Sequence, residues 1–149
     1  MDLKNKVSLI TGAGQGIGEG IARTVAAQGS KVILVDINGD SAEKVAYEIN
    51  NQIADSALSF QADLTDSSAI SSMLAFGKEH FNKIDCICNN AAASKGIGPI
   101  ENYSLDEVQA TLDLTFTSLW KCLKAEIKFL KDQSIPASIV NISSNSAIN

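Results

Sequence analysis

Four glycines at alternate positions, Gly12, Gly14, Gly16 and Gly18, separate a short apolar run, Val7-Ser8-Leu9-Ile10, from a helix-length segment between Gly16 and Gln28. A turn so rich in glycine suits a strand that hands directly to a helix, because glycine takes the positive φ of a tight turn at no steric cost. It also lets the backbone lie close to a bound group. The first N–H groups of a helix have no intrahelical acceptor, so an anion such as a pyrophosphate is stabilised there. The spacing from Thr11 to Gly18 is T-G-x-x-x-G-x-G rather than G-x-G-x-x-G. Taken alone, the loop is a weak signal, and the alternative is a tight turn without a ligand.

The same step from strand to helix recurs along the chain. The first helix carries Ile17, Ile21, Ala22 and Val25 on one stripe and stops at Gly29. Lys31-Val32-Ile33-Leu34-Val35 reads as a buried strand, and Ser41 to Asn51 places Ala42, Val45, Ala46 and Ile49 at helical spacing. A third strand is expected over Ala57 to Ala62, then a helix over Ser67 to Phe81 with Ile70, Met73, Leu74 and Ala75 inward. Ile84 to Cys88 is the fourth strand, and a loop of small residues succeeds it from Asn89 to Ile100. Ser104 and Glu107 form a capping box that opens one long helix, ending before Pro136, and Ser138 to Ile142 is the fifth strand. Strands alternating with helices predict an α/β fold, a doubly wound parallel sheet in one domain over residues 1–149. In the long helix Leu105, Val108, Leu112, Phe116, Leu119, Leu123, Ile127 and Leu130 form an apolar stripe that Trp120 widens. Most of it is expected in the core, and the surplus favours self-association.

Asp36, at the carboxyl end of the second strand and eighteen residues beyond Gly18, strengthens the ligand reading. A carboxylate there accepts from both hydroxyls of an adenosine ribose and repels a 2′-phosphate. Gln15 in the loop and Ile37 after the aspartate leave no Arg or Lys placed for that phosphate, which favours NAD over NADP. The alternative is that Asp36 only begins the turn Asp36-Ile37-Asn38-Gly39. With a net charge of −5 and a pI near 4.7, the chain lacks the basic face that nucleic acid requires. No apolar run approaches about 18 residues, so neither a membrane span nor an export signal is expected. Cys86, Cys88 and Cys122 have no C-x-x-C spacing; the set suits a reducing cytoplasm and supplies no metal site. His80, the only histidine, reads as a solvated residue near a helix end, and Asp85 with its neighbours as a strand-entry turn.

Four features in order resemble the short-chain dehydrogenase/reductases, from about Lys4 to the last residue. Thr11-Gly12-x-x-x-Gly16-x-Gly18 looks like their cofactor loop, and Asp63-Leu64 like the segment that contacts adenine. Asn89-Asn90-Ala91-Ala92 resembles their N-N-A-G strand end, with Ala92 in place of glycine, and Ile139 to Ser144 resembles the strand carrying the catalytic serine, which matches Ser144. The resemblance implies a Rossmann-type sheet in the order 3-2-1-4-5, truncated after about five strands. It implies NAD held by Gly12, Gln15, Gly16, Ile17, Gly18, Asp36, Ile37, Asp63, Leu64, Asn90, Ala91 and Ala92, with hydride passing between nicotinamide and a small alcohol or carbonyl substrate. Asp113 stands where the family has the Asn of N-L-T, a member of its proton relay; an aspartate there accepts from a water but does not donate when ionised. The family's Tyr-x-x-x-Lys does not occur: Tyr47 is followed at position 51 by Asn and Tyr103 at position 107 by Glu. The expectation is therefore a truncated chain without the catalytic helix and substrate loops, a dimer or tetramer at full length. The alternative is an NAD-binding protein or regulator without turnover.

Overall fold

The first strand, β1 (Val7–Thr11), is buried along its whole length and forms the middle of a five-stranded parallel sheet. A computed structural model describes residues 3–93 and 98–144 of the chain. The elements after it are α1 (Gly16–Ala27), β2 (Lys31–Asp36), α2 (Gly39–Gln52), β3 (Ala57–Gln61), α3 (Ser67–Phe81) and β4 (Cys86–Asn89). After a 3-10 turn (Ile100–Asn102) come α4 (Leu105–Leu112), a π-helical turn (Asp113–Thr117), α5 (Ser118–Asp132) and β5 (Ser138–Asn141). The sheet order is β3-β2-β1-β4-β5, in agreement with the sequence-based expectation.

The chain steps outward from β1 through β2 to β3, then returns to the other side of β1 for β4 and β5. The order therefore reverses between β1 and β4, and the loops leaving their carboxyl ends part there; ligands of open α/β sheets lie in such crevices.

Alternation along the strands builds two cores. Leu9, Ile33, Val35 and Ile87 face α3 and α5, where Ile70, Met73, Leu74 and Cys122 meet them. Ile10, Val32, Leu34 and Cys88 face Ala22 and Ala26 of α1 and Ala42, Val45, Ala46 and Ile49 of α2. At the amino end of the sheet, buried Asp85 accepts from Val7 N at 2.9 Å and pairs with Lys83 and Lys6 at 2.9 and 3.2 Å. Burial alone would raise this carboxyl; Lys83, the Val7 N–H and Lys6 outweigh it and hold Asp85 below the usual carboxylate range. His80 is exposed, with Nδ1 3.0 Å from Phe76 O. Among the described residues no helix is long and apolar enough to cross a membrane.

Three expectations are corrected. Ala75 points outward and Gly77 is the buried residue of α3, because 70, 73, 74 and 77 make one stripe whereas 75 falls on the opposite side. A Cβ on Gly77 would lie 2.7 Å from Ile33 Cδ1, so this helix sits close on the sheet. Ile17 leaves the inward stripe of α1 and is 68% exposed at the crevice. The helix after Ser104 is not continuous. The π-helical turn adds a residue to one turn, which rotates the segments on either side relative to each other. The residues buried on α5 are Ser118, Cys122 and Glu126, while Leu105, Val108, Leu112, Phe116, Trp120 and Ile127 are exposed. The stripe expected in the core thus lies largely on the outer face.

Candidate functional site

A crevice of about 850 Å³ opens at the carboxyl ends of the strands, where the order reverses. Its floor is the glycine loop. Gly12 has φ +64°, and a Cβ on it would lie 2.9 Å from Ala91 Cα. On Gly18 a Cβ would lie 2.1 Å from Gly12 O and 2.6 Å from Asn90 Nδ2, so the first turn of α1 is packed on the loop itself. Gly16 differs: its φ is +60°, yet a Cβ there would meet nothing within 4 Å. Space is left over the start of α1. Asn38, Asp66 and Ser104 cap α2, α3 and α4 with side-chain hydrogen bonds, whereas Gln15 provides none for α1. The N–H groups at that end are thereby left to water or to a ligand.

Asp36 fixes the loop and the turn beyond it. Gly14 N donates to Oδ2 at 2.8 Å and Asn38 N to Oδ1 at 2.9 Å. Asp36 thus shapes the turn, and it also lines the crevice. Each oxygen retains acceptor capacity after one such bond. Asp63 lines the same wall; its Oδ1 accepts from Thr65 N at 2.9 Å and from Thr65 Oγ1 at 2.7 Å. Leu64 is buried beside it, and Ile37 is 64% exposed at the rim. No Lys or Arg occurs among the described lining residues, so the positive potential at the start of α1 comes from backbone dipoles rather than cations.

A latch that the sequence did not announce joins the loop to β4. The hydroxyl of Thr11, 1% exposed, accepts from Asn90 N at 3.0 Å and Ala91 N at 3.1 Å. In return Asn90 Nδ2 donates to Thr11 O at 3.0 Å and Gly12 O at 3.2 Å. The amide of Asn90 is thus engaged in holding the loop. Thr11 stood in the motif, but nothing local signals a bond to a residue 79 positions away. Ala91 and Ala92 continue the wall, and residues 94–97 lie outside the described residues.

The remaining wall comes from β5 and the π-helical turn. Ile142 N donates to Asn89 O at 2.9 Å, which carries the chain past the end of β4 and brings Ser143 and Ser144 to the crevice. The extra residue of the turn directs Leu114, Thr115 and Ser118 inward. Asp113 is exposed, accepts from Gln109 Nε2 at 3.0 Å, and is not among the lining residues. Cys122 also lines the crevice, but burial, with the nearby Glu126 carboxyl, pushes its thiol up to about 12, which makes it a packing residue rather than a nucleophile. The described residues contain no cluster able to hold a metal ion.

These residues fit a dinucleotide. The open space at Gly16 and the uncapped start of α1 leave room and N–H groups for a pyrophosphate, and the Asp36 carboxylate lines the same crevice.

Comparison with known proteins agrees with this geometry. The model of the short chain dehydrogenase family matches residues 6–149. A 2,3-dihydro-2,3-dihydroxybenzoate dehydrogenase of Bacillus subtilis is 34% identical over 97% of this chain and 54% of its own length. Among solved structures, a 3-ketoacyl-(acyl-carrier-protein) reductase of Brucella melitensis complexed with NADH superposes with a TM-score of 0.90 at 30% identity, covering 98% of this chain and 59% of that one. An NAD+-bound xylitol dehydrogenase superposes with a TM-score of 0.93 at 28% identity, covering all of this chain and 56% of that one. The chain spans about half the length of the curated relatives it matches.

Proposed function

The chain belongs to the short-chain dehydrogenase family, and from that premise we propose that it forms the NAD-binding portion of an oxidoreductase acting on an alcohol or carbonyl group. The observation that carries this reading is the pairing of an uncapped helix start beside open space at Gly16 with a carboxylate, Asp36, already held by the loop. When bound, NAD supplies the hydride acceptor or donor. The first N–H groups of α1 meet the pyrophosphate, Gly16 leaves the space for it, Gly12 and Gly18 let the loop pack closely on Ala91, Asn90 and α1 beneath it, and Gln15 and Ile17 border it. Asp36 accepts from the adenosine ribose and disfavours a 2′-phosphate, so NAD is preferred to NADP. Ile37, Asp63 and Leu64 bracket the adenine, while Asn90, Ala91 and Ala92 hold the central part of the cofactor in register with the loop.

Ser144 hydrogen-bonds the substrate oxygen. A hydroxyl aimed at an oxygen that gains charge stabilises the transition state more than the ground state. Asp113, at the family's relay position, has its carboxyl turned to Gln109, so any part it takes in proton transfer runs through a water. The proton-transferring tyrosine and its lysine are not found within residues 1–149. The outer apolar face with Leu105, Phe116 and Trp120 is read as the contact with a second copy.

The test is turnover in the native full-length protein, followed by absorbance of reduced nicotinamide over a panel of small alcohols and ketones. We expect Ser144→Ala to lower kcat about a hundredfold with little change in NADH affinity. Equal turnover in the variant removes Ser144 from the reaction, and NADH binding without any turnover overturns the oxidoreductase reading.

A further inference from the structure

Glu126 is an acid in a place that gives a carboxylate one hydrogen bond and, among the described residues, no cation. It lies in α5, 0% exposed, behind the wall of the crevice. Its Oε2 accepts from Asn89 Nδ2 at 2.9 Å, and the same nitrogen reaches Asn141 Oδ1 at 3.1 Å. Two buried atoms then remain without a partner, Glu126 Oε1 and Asn89 Oδ1. Both are acceptors if Glu126 is ionised, and buried polar groups are seldom left unpaired. No cation offsets the charge: none of the ion pairs among the described residues involves Glu126. The titratable neighbour on its own helix is Cys122, a neutral thiol, and the strands β4 and β5 present the amides of Asn89 and Asn141.

One proton satisfies both orphan atoms at once. A carboxylic acid offers an acceptor and a donor side by side, and a primary amide offers the complement. We propose that Glu126 is a neutral acid that donates Oε1–H to Asn89 Oδ1, closing a two-bond acid–amide pair that positions the β5 wall of the crevice. Burial supports this by pushing the carboxyl up to about 7, against the opposing effect of the Asn89 bond. The link to the site is short. Asn89 pairs with Asn141 in the sheet register, and its carbonyl holds Ile142 N at 2.9 Å, two residues before Ser144. Glu126 touches no ligand; it is a positioning residue, and its effect on binding rests on the reading of the crevice as an NAD site.

The folded group binds its proton more tightly than the unfolded one, near 4.5, so the stability of the pair is full below that pH. It is lost as pH rises to and through about 7.

The experiment compares the wild type with E126Q, whose amide closes the same two bonds, and with E126L, which closes neither. In mildly acidic buffer the infrared difference between wild type and E126Q is expected to show the carbonyl stretch of a protonated carboxyl. Urea unfolding across the range from pH 4.5 upward should show the wild-type unfolding constant rising relative to that of E126Q, on the order of a hundredfold. NADH affinity should stay within about twofold in E126Q and fall about tenfold in E126L, the conservative variant thereby rescuing the site. An absent band or parallel unfolding profiles overturn the acid–amide pair. A folded E126L that binds NADH as tightly as wild type overturns the positioning role. The infrared and unfolding comparison needs only E126Q, so it stands if E126L does not fold. A wild type that binds no NADH overturns the cofactor reading and with it the positioning role, while those two measurements still decide the pair.

Discussion

Gly18→Ala is expected to abolish NADH binding and to lower stability by about 3 kcal/mol, the upper end of what an overpacked side chain ordinarily costs. The added Cβ would lie 2.1 Å from the carbonyl oxygen of Gly12 and 2.6 Å from Asn90 Nδ2. Neither neighbour is the free end of a flexible side chain. One is loop backbone, and the other is the amide that clamps Thr11 O and Gly12 O. Relief therefore moves the loop away from α1 and breaks the latch, at roughly 1 kcal/mol for each hydrogen bond lost. Gly20→Ala, two residues on in the same helix, is the control. A Cβ there meets nothing within 4 Å, so helix propensity alone should make it neutral or stabilising by up to about 1 kcal/mol. Thermal unfolding and NADH titration of both variants give the check: similar behaviour of the two would show that the packing of α1 on its loop does not carry the site.

Asp36→Arg has the second large effect, on cofactor choice. The substitution removes the acceptor for Gly14 N and Asn38 N as well as the partner of the ribose hydroxyls, and it brings a guanidinium to where a 2′-phosphate would lie. The ratio of NADH to NADPH affinity should fall about a hundredfold, close to 2.7 kcal/mol of differential binding. Part of the loss of NADH affinity comes from the loosened loop, so Asp36→Asn is the companion variant: it removes the charge but keeps an acceptor. That variant should weaken NADH less than the arginine and gain little for NADPH. Fluorescence titration of both cofactors reads the result, and an unchanged ratio in Asp36→Arg would remove Asp36 from the ribose contact.

Local sequence encodes some of these features and not others. Buried parallel strands announce themselves as β-branched and aliphatic runs, and β1, β2 and β3 begin where expected. The glycine loop and Asp36 are legible because their geometry is local: a turn, a helix start and a strand end within a few tens of residues. The π-helical turn at Asp113–Thr117 is not, because it contains no Pro or Gly to mark a break and the apolar spacing runs through it without interruption. The buried face of α5 is shifted by one residue, to 118, 122 and 126. An apolar stripe predicts a core face there, yet the buried positions hold a serine, a cysteine and a glutamic acid. Pattern alone assumes that apolar residues face the nearest sheet, and the large residues Phe116 and Trp120 face outward instead. The Thr11–Asn90 latch and the Glu126–Asn89 contact escape for a different reason. Each depends on a polar atom whose partner is brought near only by the reversal of strand order between β1 and β4 or by the packing of α5.

The central claim is that the crevice holds NAD through the start of α1 and Asp36, and calorimetric titration of NADH and of NADPH into the purified protein tests it most directly. The account expects one saturable site for NADH with a Kd on the order of 10 μM and binding of NADPH at least about tenfold weaker. Absence of saturable NADH binding into the millimolar range, or tighter binding of NADPH, would contradict it.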